Sequence, residues 1–271
     1  MSGGYSAGMS QTSKSPVAVA RAAVAAAAEA LPAYAHVFSP RKFSQPQLFA
    51  CLALKEFFKT DYRGVARHLA DLPALRAALG LRAVPHFTTL QKAAGRLLGQ
   101  PQVDRLLRAT VRQARPRRRR IRRAALDSTG LDCGRASPYF VRRRSRGPGK
   151  ELQTVSYGRF AKLEVAVDCD THLILAARAG RGPRPDTDRL VPLLDAALKV
   201  APVGAVLADA GYDSEPNHRH AREVCGVRSY VPASIGRPSA RPPAGRYRRL
   251  MRRRLTKDFG GYGQRWQAEC G

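Results

Sequence analysis

The apolar residues of this 271-residue chain change their spacing on either side of an arginine-rich run, and that change limits the folds open to it. Before residues 115–123, apolar side chains such as Leu48 and Leu52 recur at helical spacing. After them, Leu163 and Val165 belong to a stretch in which apolar and other residues alternate, as they do in a strand. The sequence therefore predicts a helical region followed by a mixed α/β region.

The second region combines short apolar runs with amphipathic stretches, which together predict a central sheet with helices packed on its faces. We expect strands at 124–126, 162–168, 173–179, 205–208 and 229–232, helices at 188–200 and 215–224, and a final helix from about Tyr262. Residues 236–254 are rich in Arg, Pro and Gly and are predicted to form a loop.

The charge of the chain narrows the class of partner. It carries 48 Lys and Arg against 20 Asp and Glu, a formal net charge of +28. Such an excess repels itself in a compact fold unless an anionic partner is present. Double-stranded DNA is the expected partner, because phosphates neutralised by Lys and Arg release their counterions. A drift of composition towards Ala and Arg accounts for part of the excess.

We expect no membrane association and a cytoplasmic location. The basic residues are scattered along the whole chain, and no segment reaches the roughly 20 apolar residues that span a bilayer. The cysteines are odd in number and form no CxxC pair, so neither a zinc site nor a disulfide framework is predicted. His218 and His220 lie two residues apart, on different sides of a helix, and are not expected to share a metal. The cysteines are Cys51, Cys133, Cys169, Cys225 and Cys270.

Residues 44–114 look wholly helical and end in a pattern typical of a helix-turn-helix unit. Thr88 is a suitable N-cap for a helix that runs to Leu98 and carries Lys92 and Arg96. Short helices followed by such a basic helix predict insertion of the last helix into a DNA groove. The alternative is a small helical bundle with no groove-binding role.

Arginines outside the helices are the second predicted DNA contact. The run at residues 115–123 holds seven arginines, which are costly to leave unpaired and which a phosphate backbone would neutralise. A further basic group follows at residues 142–150, for which a solvated loop is the alternative. The expected contacts are Arg117, Arg118, Arg119, Arg120, Arg142, Arg143 and Arg144.

Three acidic residues form the most specific pattern in the chain. Asp127 and Asp209 each follow a short apolar run, so both are expected at the carboxyl ends of core strands. Tyr262, Arg265 and Glu269 are spaced by three and four residues, which places them on one face of an α-helix. Carboxylate oxygens are the ligands that Mg²⁺ prefers. Each motif alone is also typical of a cap, a turn or an ordinary surface.

These motifs resemble those of the DDE transposases of bacterial insertion sequences. The matching stretches are Leu-Asp-Ser-Thr-Gly at 126–130, Leu-Ala-Asp-Ala-Gly-Tyr-Asp-Ser at 207–214, and the Tyr-x2-Arg-x3-Glu signature at 262–269. Residues 84–90, Val-Pro-His-Phe-Thr-Thr-Leu, resemble the N-terminal DNA-binding part of this class. The resemblance covers roughly residues 40 to 271.

The resemblance implies a ribonuclease-H-like α/β fold, with a mixed sheet and flanking helices, after an all-helical DNA-binding region. It implies that Asp127, Asp209 and Glu269 hold two Mg²⁺ ions, with Tyr262 and Arg265 in support. The expected chemistry is cleavage of DNA at the element's end by water, followed by attack of the freed 3′-hydroxyl on target DNA. A homo-oligomer is expected on DNA, because two ends must be paired.

The expected segments are a disordered start at 1–15, the helical DNA-binding region at 16–114, the basic linker at 115–123 and the catalytic domain at 124–271. One departure from the family concerns the end of the chain, because the family signature continues past the Glu to a Lys, whereas only two residues follow Glu269. This predicts a truncated copy with weak activity, or the first part of a product completed by frameshifting. The alternative function is a non-catalytic nucleic-acid-binding protein.

Overall fold

The computed structural model describes residues 14–115, 120–131, 138–143, 153–158, 160–233, 242–255 and 259–270. The chain divides into two compact units, Met1–Arg118 and Arg119–Gly271. The predicted disordered start falls almost wholly outside the described residues, as do residues 116–119 of the predicted linker. No helix in the described part combines the length and the apolar composition needed to cross a membrane.

The secondary-structure elements described in unit 1 are all helices, and their caps follow from the sequence. Ser44 and Gln47 form a reciprocal capping box at the start of the second helix. The side chain of Asp61 accepts a hydrogen bond from the amide of Gly64 and so caps the third helix. The helices are α1 Pro16–Ala30, α2 Gln45–Phe57, α3 Tyr62–Asp71, α4 Pro73–Ala78, α5 Phe87–Leu97 and α6 Gln100–Ala114.

One apolar core joins the helices of unit 1. Leu54 of α2, Leu69 of α3 and Leu90 of α5 are fully buried within the same cluster. The predicted cap of α5 is corrected by the structure, because the N-cap position is His86 and it makes no side-chain cap. Thr88 lies inside the first turn, where its hydroxyl contacts Nδ1 of His86 at 2.8 Å.

Unit 2 is built on a mixed five-stranded sheet, in the order β5-β4-β1-β6-β7. β1 pairs antiparallel with β4 and parallel with β6, and β7 continues the parallel half. The strands are β1 Ala124–Leu131, β2 Pro138–Arg143, β3 Gln153–Gly158, β4 Phe160–Asp168, β5 Ile174–Gly182, β6 Ala205–Leu207 and β7 Arg228–Tyr230. The helices are α7 Leu190–Leu198, α8 Glu215–Arg219 and α9 Arg246–Arg254, with a π-helical turn at His220–Val224. Further 3₁₀ turns are Thr187–Arg189, Ala210–Tyr212 and Phe259–Cys270. This mixed sheet with flanking helices confirms the expected ribonuclease-H-like fold class.

One predicted boundary in unit 2 was wrong, and two strands were not predicted. β1 does not end at Asp127 but runs on to Leu131, because β4 pairs with it along its full length. Its pairing with β6 stops at Ala125, so Asp127 lies beyond the end of the parallel ladder although it is inside a strand. The basic stretch at 142–150 was not predicted to contain strands, yet β2 and β3 form a separate antiparallel hairpin around it.

The predicted loop at 236–254 is also corrected, because α9 occupies its second half. Apolar Met251 is buried against the sheet, which fixes one side of this otherwise arginine-rich helix. At its start, the carboxylate of Glu215 accepts hydrogen bonds from the amides of Tyr247 and Arg248. These contacts supply the acceptors that the first turn of a helix lacks. The Arg, Pro and Gly content of this stretch favoured a loop. Composition alone does not show which distant residues contact a segment.

His218, in α8, gives unit 2 a pH-dependent stability. Burial lowers its pKa from 6.5 to about 4, although the nearby carboxylate of Asp213 opposes the shift. The unfolded chain takes up this proton near pH 6.5 and the folded chain only near pH 4, so stability present above pH 6.5 is lost as the pH falls. We expect a loss of roughly 3 kcal/mol between these values.

The measurement is urea unfolding at pH 7, 5.5 and 4, followed by the fluorescence of Trp266, the single tryptophan of the chain. His218→Asn is expected to flatten the dependence on pH. His172→Asn is the matched control, because His172 is a half-buried residue of the β4–β5 turn with a positive φ of 59° that Asn tolerates. An unchanged slope in His218→Asn would contradict the assignment.

Candidate active site

Asp127 and Asp209 lie at the same edge and on the same face of the sheet. The register pairs Ala125 of β1 with Leu207 of β6, and each Asp follows two residues later on its own strand. Side chains alternate along a strand, so Asp127 shares the face of Ala125, and Asp209, whose backbone is still extended, shares that of Leu207. Both Asp residues are half-buried. The structure thus brings the two predicted acids to neighbouring strands.

The turn after Asp209 is fixed by hydrogen bonds. Oδ1 of Asp209 accepts a bond of 2.9 Å from the amide of Gly211, which starts the Ala210–Tyr212 turn. The hydroxyl of Thr187 donates to the carbonyl of Gly211. The side-chain amide of Asn217 donates to the carbonyls of Thr187 and Tyr212 at 2.7 and 2.9 Å. Asp209 is therefore held in one position by a network to which Asn217, in α8, is central.

The C-terminal segment Phe259–Cys270 packs on this same face. Ala268 is buried in the cluster that contains Ala125 and Leu207, with Tyr262 against it. Nη1 of Arg265 lies 3.9 Å from Oδ1 of Asp127. Burial raises the pKa of the Tyr262 phenol, as does the charge of Asp209, and the guanidinium of Arg265 opposes them. The predicted supporting residues thus lie beside both carboxylates.

The helix type of this segment corrects the prediction that Tyr262, Arg265 and Glu269 lie on one face of an α-helix. Phe259–Cys270 is a 3₁₀ helix rather than an α-helix, and its start is interrupted by positive φ at Gly260 and Gly261. In a 3₁₀ helix residues three apart eclipse one another, so Tyr262 and Arg265 share their row with Ala268 and not with Glu269. The backbone of Glu269 lies in the last turn, next to that row, and its side chain is outside the described part.

Arg123 anchors the C-terminal segment to the sheet. It immediately precedes β1, and its Nε donates to the carbonyl of Gly260 at 3.0 Å. Its Nη1 donates to Oε1 of Gln264 at 2.7 Å. Gly260 and Gly261 allow the close approach, because a Cβ at either would overlap the ring of Tyr230 or the guanidinium of Arg123. Arg123 and the two glycines are positioning residues that sequence analysis had not singled out.

Gly260→Ala is expected to loosen the C-terminal segment. The substitution combines a positive φ of 66° with overlap on the Tyr230 ring, for a combined cost of about 2–4 kcal/mol. Backbone amides of residues 262–268 should then exchange with deuterium at least about 30-fold faster. Gly226→Ala is the matched control, since Gly226 has the same φ but open space around its Cα. Equal exchange in the two variants would show that packing on Tyr230 does not hold the segment.

A second set of charged residues adjoins the carboxylates, and no sequence motif indicated it. Glu164 of β4 is almost fully buried and lies 3.2 Å from Nε of Arg189. Lys162 pairs with Asp186, whose carboxylate lies near Gly211. Burial raises the pKa of Glu164, and the charges of Arg189 and Lys162 oppose that shift. These ion pairs join strand β4 to turns that are distant in the sequence, so no local sequence motif indicates them.

The predicted DNA contacts fall in several places. Lys92 and Arg96 are both exposed, on the side of α5 away from its buried residues. Arg120 is exposed, and its guanidinium lies 3.5 Å from the carbonyl of Val203. The backbones of Arg142 and Arg143 lie in β2. Arg117, Arg118, Arg119 and Arg144 are outside the described residues.

The donor set at Asp127 and Asp209 suits a hard divalent cation. Both supply carboxylate oxygens, which Mg²⁺ prefers, and both are partly exposed, so bound water can complete the coordination. Asp209 has one oxygen committed to Gly211 and a second that makes no hydrogen bond to the described residues. Arg265 balances the negative charge from one side. The residues present therefore fit the predicted ion.

Comparison with known protein families identifies the family to which the chain belongs. The transposase DDE domain family matches residues 118–271, more than half of the chain, and the chain belongs to that family. Among solved structures it is similar to a chain of the Mos1 mariner paired end complex with Mn, at 13% identity and a TM-score of 0.23. That alignment covers 72% of this chain and 61% of the other. No curated protein sequence matches the present chain.

Proposed function

We propose that this chain is a transposase that cleaves and joins DNA with divalent cations held by Asp127, Asp209 and Glu269. The observation that carries the proposal is the placement of Asp127 and Asp209 at one edge and one face of the sheet. The position of Arg265 beside Asp127 and the membership of the transposase DDE domain family support it.

Some residues of the site would bind the cations, and others would keep the carboxylates in position. Asp127 and Asp209 would bind two Mg²⁺ ions, and Glu269 would complete the coordination. Bound Mg²⁺ stabilises negative charge on the attacking and leaving oxygens of a phosphodiester and lowers the pKa of water. The bonds around Asp209 and Gly211 keep that carboxylate in place without rearrangement. Arg265 would orient Asp127 and contact a DNA phosphate.

The basic residues would place DNA against this site. Lys92 and Arg96 are four residues apart on the outer side of α5, which suits insertion of that helix into a groove. Arg120 and the arginines of the linker and of β2 would neutralise the phosphate backbone. In this proposal residues 16–114 form the DNA-binding region and residues 124–271 the catalytic domain. Two copies act together, because two DNA ends are joined in one reaction.

The test is cleavage of a supercoiled plasmid that carries the DNA flanking the gene. With Mg²⁺ the chain is expected to nick the plasmid within the flanking DNA, at the ends of the element, and chelation by EDTA should abolish nicking while DNA remains bound. A plasmid without the flanking DNA is the matched control. DNA binding with no metal-dependent nicking would contradict the proposal and support a non-catalytic nucleic-acid-binding protein.

A further inference from the structure

A second group of possible metal ligands lies in unit 2, apart from the carboxylate pair. Asp195 comes from α7, His220 opens the π-helical turn, and Cys225 follows that turn directly. Their ligand atoms all lie within 4.8 Å of one another, and all three residues are half-buried. The two acids of the proposed active site are not members of this cluster.

The π-helical turn brings His220 and Cys225 together. The amide of Cys225 donates to the carbonyl of His220 at 3.0 Å, a bond between residues five apart. A regular α-helix closes its bonds between residues four apart, so the additional residue moves Cys225 beneath His220. Such π turns are frequent at functional sites. His218 takes no part, because its Nδ1 contacts the hydroxyl of Ser229 at 2.7 Å.

The contacts do not suit a proton relay between a thiol and a carboxylate. In such a relay the two partners use opposite nitrogens of the imidazole ring. Here Nε2 of His220 faces both Oδ1 of Asp195, at 2.8 Å, and Sγ of Cys225, at 3.3 Å. Burial and the charge of Asp195 raise the pKa of the Cys225 thiol, so without a metal it is a weak nucleophile. One ring nitrogen directed at both partners is instead the arrangement of three ligands around a common point.

We propose that Asp195, His220 and Cys225 bind a single Zn²⁺-type cation. Tetrahedral zinc bonds predict ligand separations of about 3.6 Å from sulfur to nitrogen or oxygen and about 3.3 Å from nitrogen to oxygen. The observed separations are 3.3 Å for Sγ to Nε2, 3.7 Å for Sγ to Oδ1 and 2.8 Å for Nε2 to Oδ1. Insertion of the ion needs the last pair to move apart by about half an ångström.

The ligand types set the selectivity of this site. A thiolate and an imidazole favour Zn²⁺ over Mg²⁺, whereas the two Asp residues of the proposed active site favour the harder ion. On binding, the thiol proton leaves to solvent and sulfur bonds to the metal, with no change of oxidation state. Three protein ligands leave a fourth position, which the partly exposed site opens to water.

The ion would tie α7 to the segment that follows α8. Thr187 lies just before α7 and Asn217 lies in α8, and both hold the turn after Asp209. A metal bound by Asp195 of α7 and by His220 and Cys225, which follow α8, would therefore limit the relative motion of these two helices. It would act on Asp209 as a structural clamp and would not take part in phosphoryl transfer.

The test is titration of the metal-free full chain with Co²⁺, followed by displacement with Zn²⁺. One equivalent of Co²⁺ is expected to produce thiolate-to-cobalt charge-transfer absorption, which Zn²⁺ removes. Cys225→Ser should abolish this absorption, and His220→Ala should weaken Co²⁺ binding at least 10-fold. Zn²⁺ should raise the Tm of the parent and leave the Tm of Cys225→Ser unchanged.

Two matched controls separate this site from other thiols and from the proposed active site. The double variant Cys133→Ser/Cys270→Ser and the variant Asp127→Asn are both expected to keep the absorption. A folded parent that shows no thiolate-to-cobalt absorption, or a Cys225→Ser variant that retains it, overturns the inference. Either result leaves Mg²⁺-dependent nicking intact, so failure here is distinct from failure of the proposed function. If Cys225→Ser does not fold, the other two measurements test the inference. Parental Co²⁺ binding in His220→Ala, or a parental Tm that Zn²⁺ does not raise, then overturns it.

Discussion

Asp127→Asn and Asp209→Asn are each expected to reduce Mg²⁺-dependent DNA nicking by at least about 100-fold. Asn keeps the shape of the side chain but removes the negative charge that holds the cation. In Asp209→Asn the side-chain oxygen can still accept the bond from Gly211, so the turn should be retained. DNA affinity should change less than about 3-fold, because the basic residues that contact phosphates are untouched.

Asp188→Asn is the matched control for these variants. Asp188 is an exposed acidic residue of unit 2 in the Thr187–Arg189 turn, so its substitution makes the same change of charge. It should nick DNA at the parental rate. Parental nicking by Asp127→Asn or Asp209→Asn would remove those residues from the catalytic assignment, whatever their effect on stability.

Arg248→Ala is expected to lower the free energy of unfolding of unit 2 by about 3–5 kcal/mol. The side chain of Asp213 is fully buried and accepts hydrogen bonds of 2.7 to 3.0 Å from Nε and Nη2 of Arg248. Removal of the guanidinium leaves a buried carboxylate without its principal cation, which is far costlier than loss of a surface ion pair. Urea unfolding followed by Trp266 fluorescence gives the measurement.

The next residue of the same helix is the matched control. Arg249 is exposed, and Arg249→Ala should change the free energy of unfolding by less than about 0.5 kcal/mol. The double variant Asp213→Leu/Arg248→Leu should recover part of the loss, because neither charge is then left unpaired. Equal effects of Arg248→Ala and Arg249→Ala would show that the pair between α9 and Asp213 does not stabilise the unit.

The general architecture could be predicted because it rests on local patterns. Apolar residues at helical spacing marked the helices of unit 1, and apolar runs before Asp127 and Asp209 marked two neighbouring strands. Parallel strands bring their carboxyl ends to one edge, so the sequence could also place both acids near each other. Structural features that depend only on neighbours in the sequence could therefore be predicted.

Other features depend on partners far along the chain. α9 was predicted as part of a loop because residues 236–254 are rich in Arg, Pro and Gly, yet Asp213 and Glu215 hold its first turn. The α-helical spacing of Tyr262 and Arg265 gave no sign of the 3₁₀ geometry, which follows a start at two glycines with positive φ. The packing of Phe259–Cys270 on the sheet sets the helix type of this segment.

The Zn²⁺-type cluster shows the same limit. The cysteines form no CxxC pair, so spacing gave no reason to expect a metal site. His220 and Cys225 face one another only because the helix takes a π turn, and Asp195 reaches them from a separate helix. A sequence motif with fixed spacing could not have identified a site assembled in this way.

The most direct test of the central claim is the structure of the chain crystallised with Mn²⁺ in place of Mg²⁺, with the anomalous signal used to locate the ion. We expect Mn²⁺ in contact with the carboxylates of both Asp127 and Asp209, and loss of that signal in Asp209→Asn. An ion that binds only at Asp195, His220 and Cys225, or carboxylates of Asp127 and Asp209 too far apart to share one, would contradict the account.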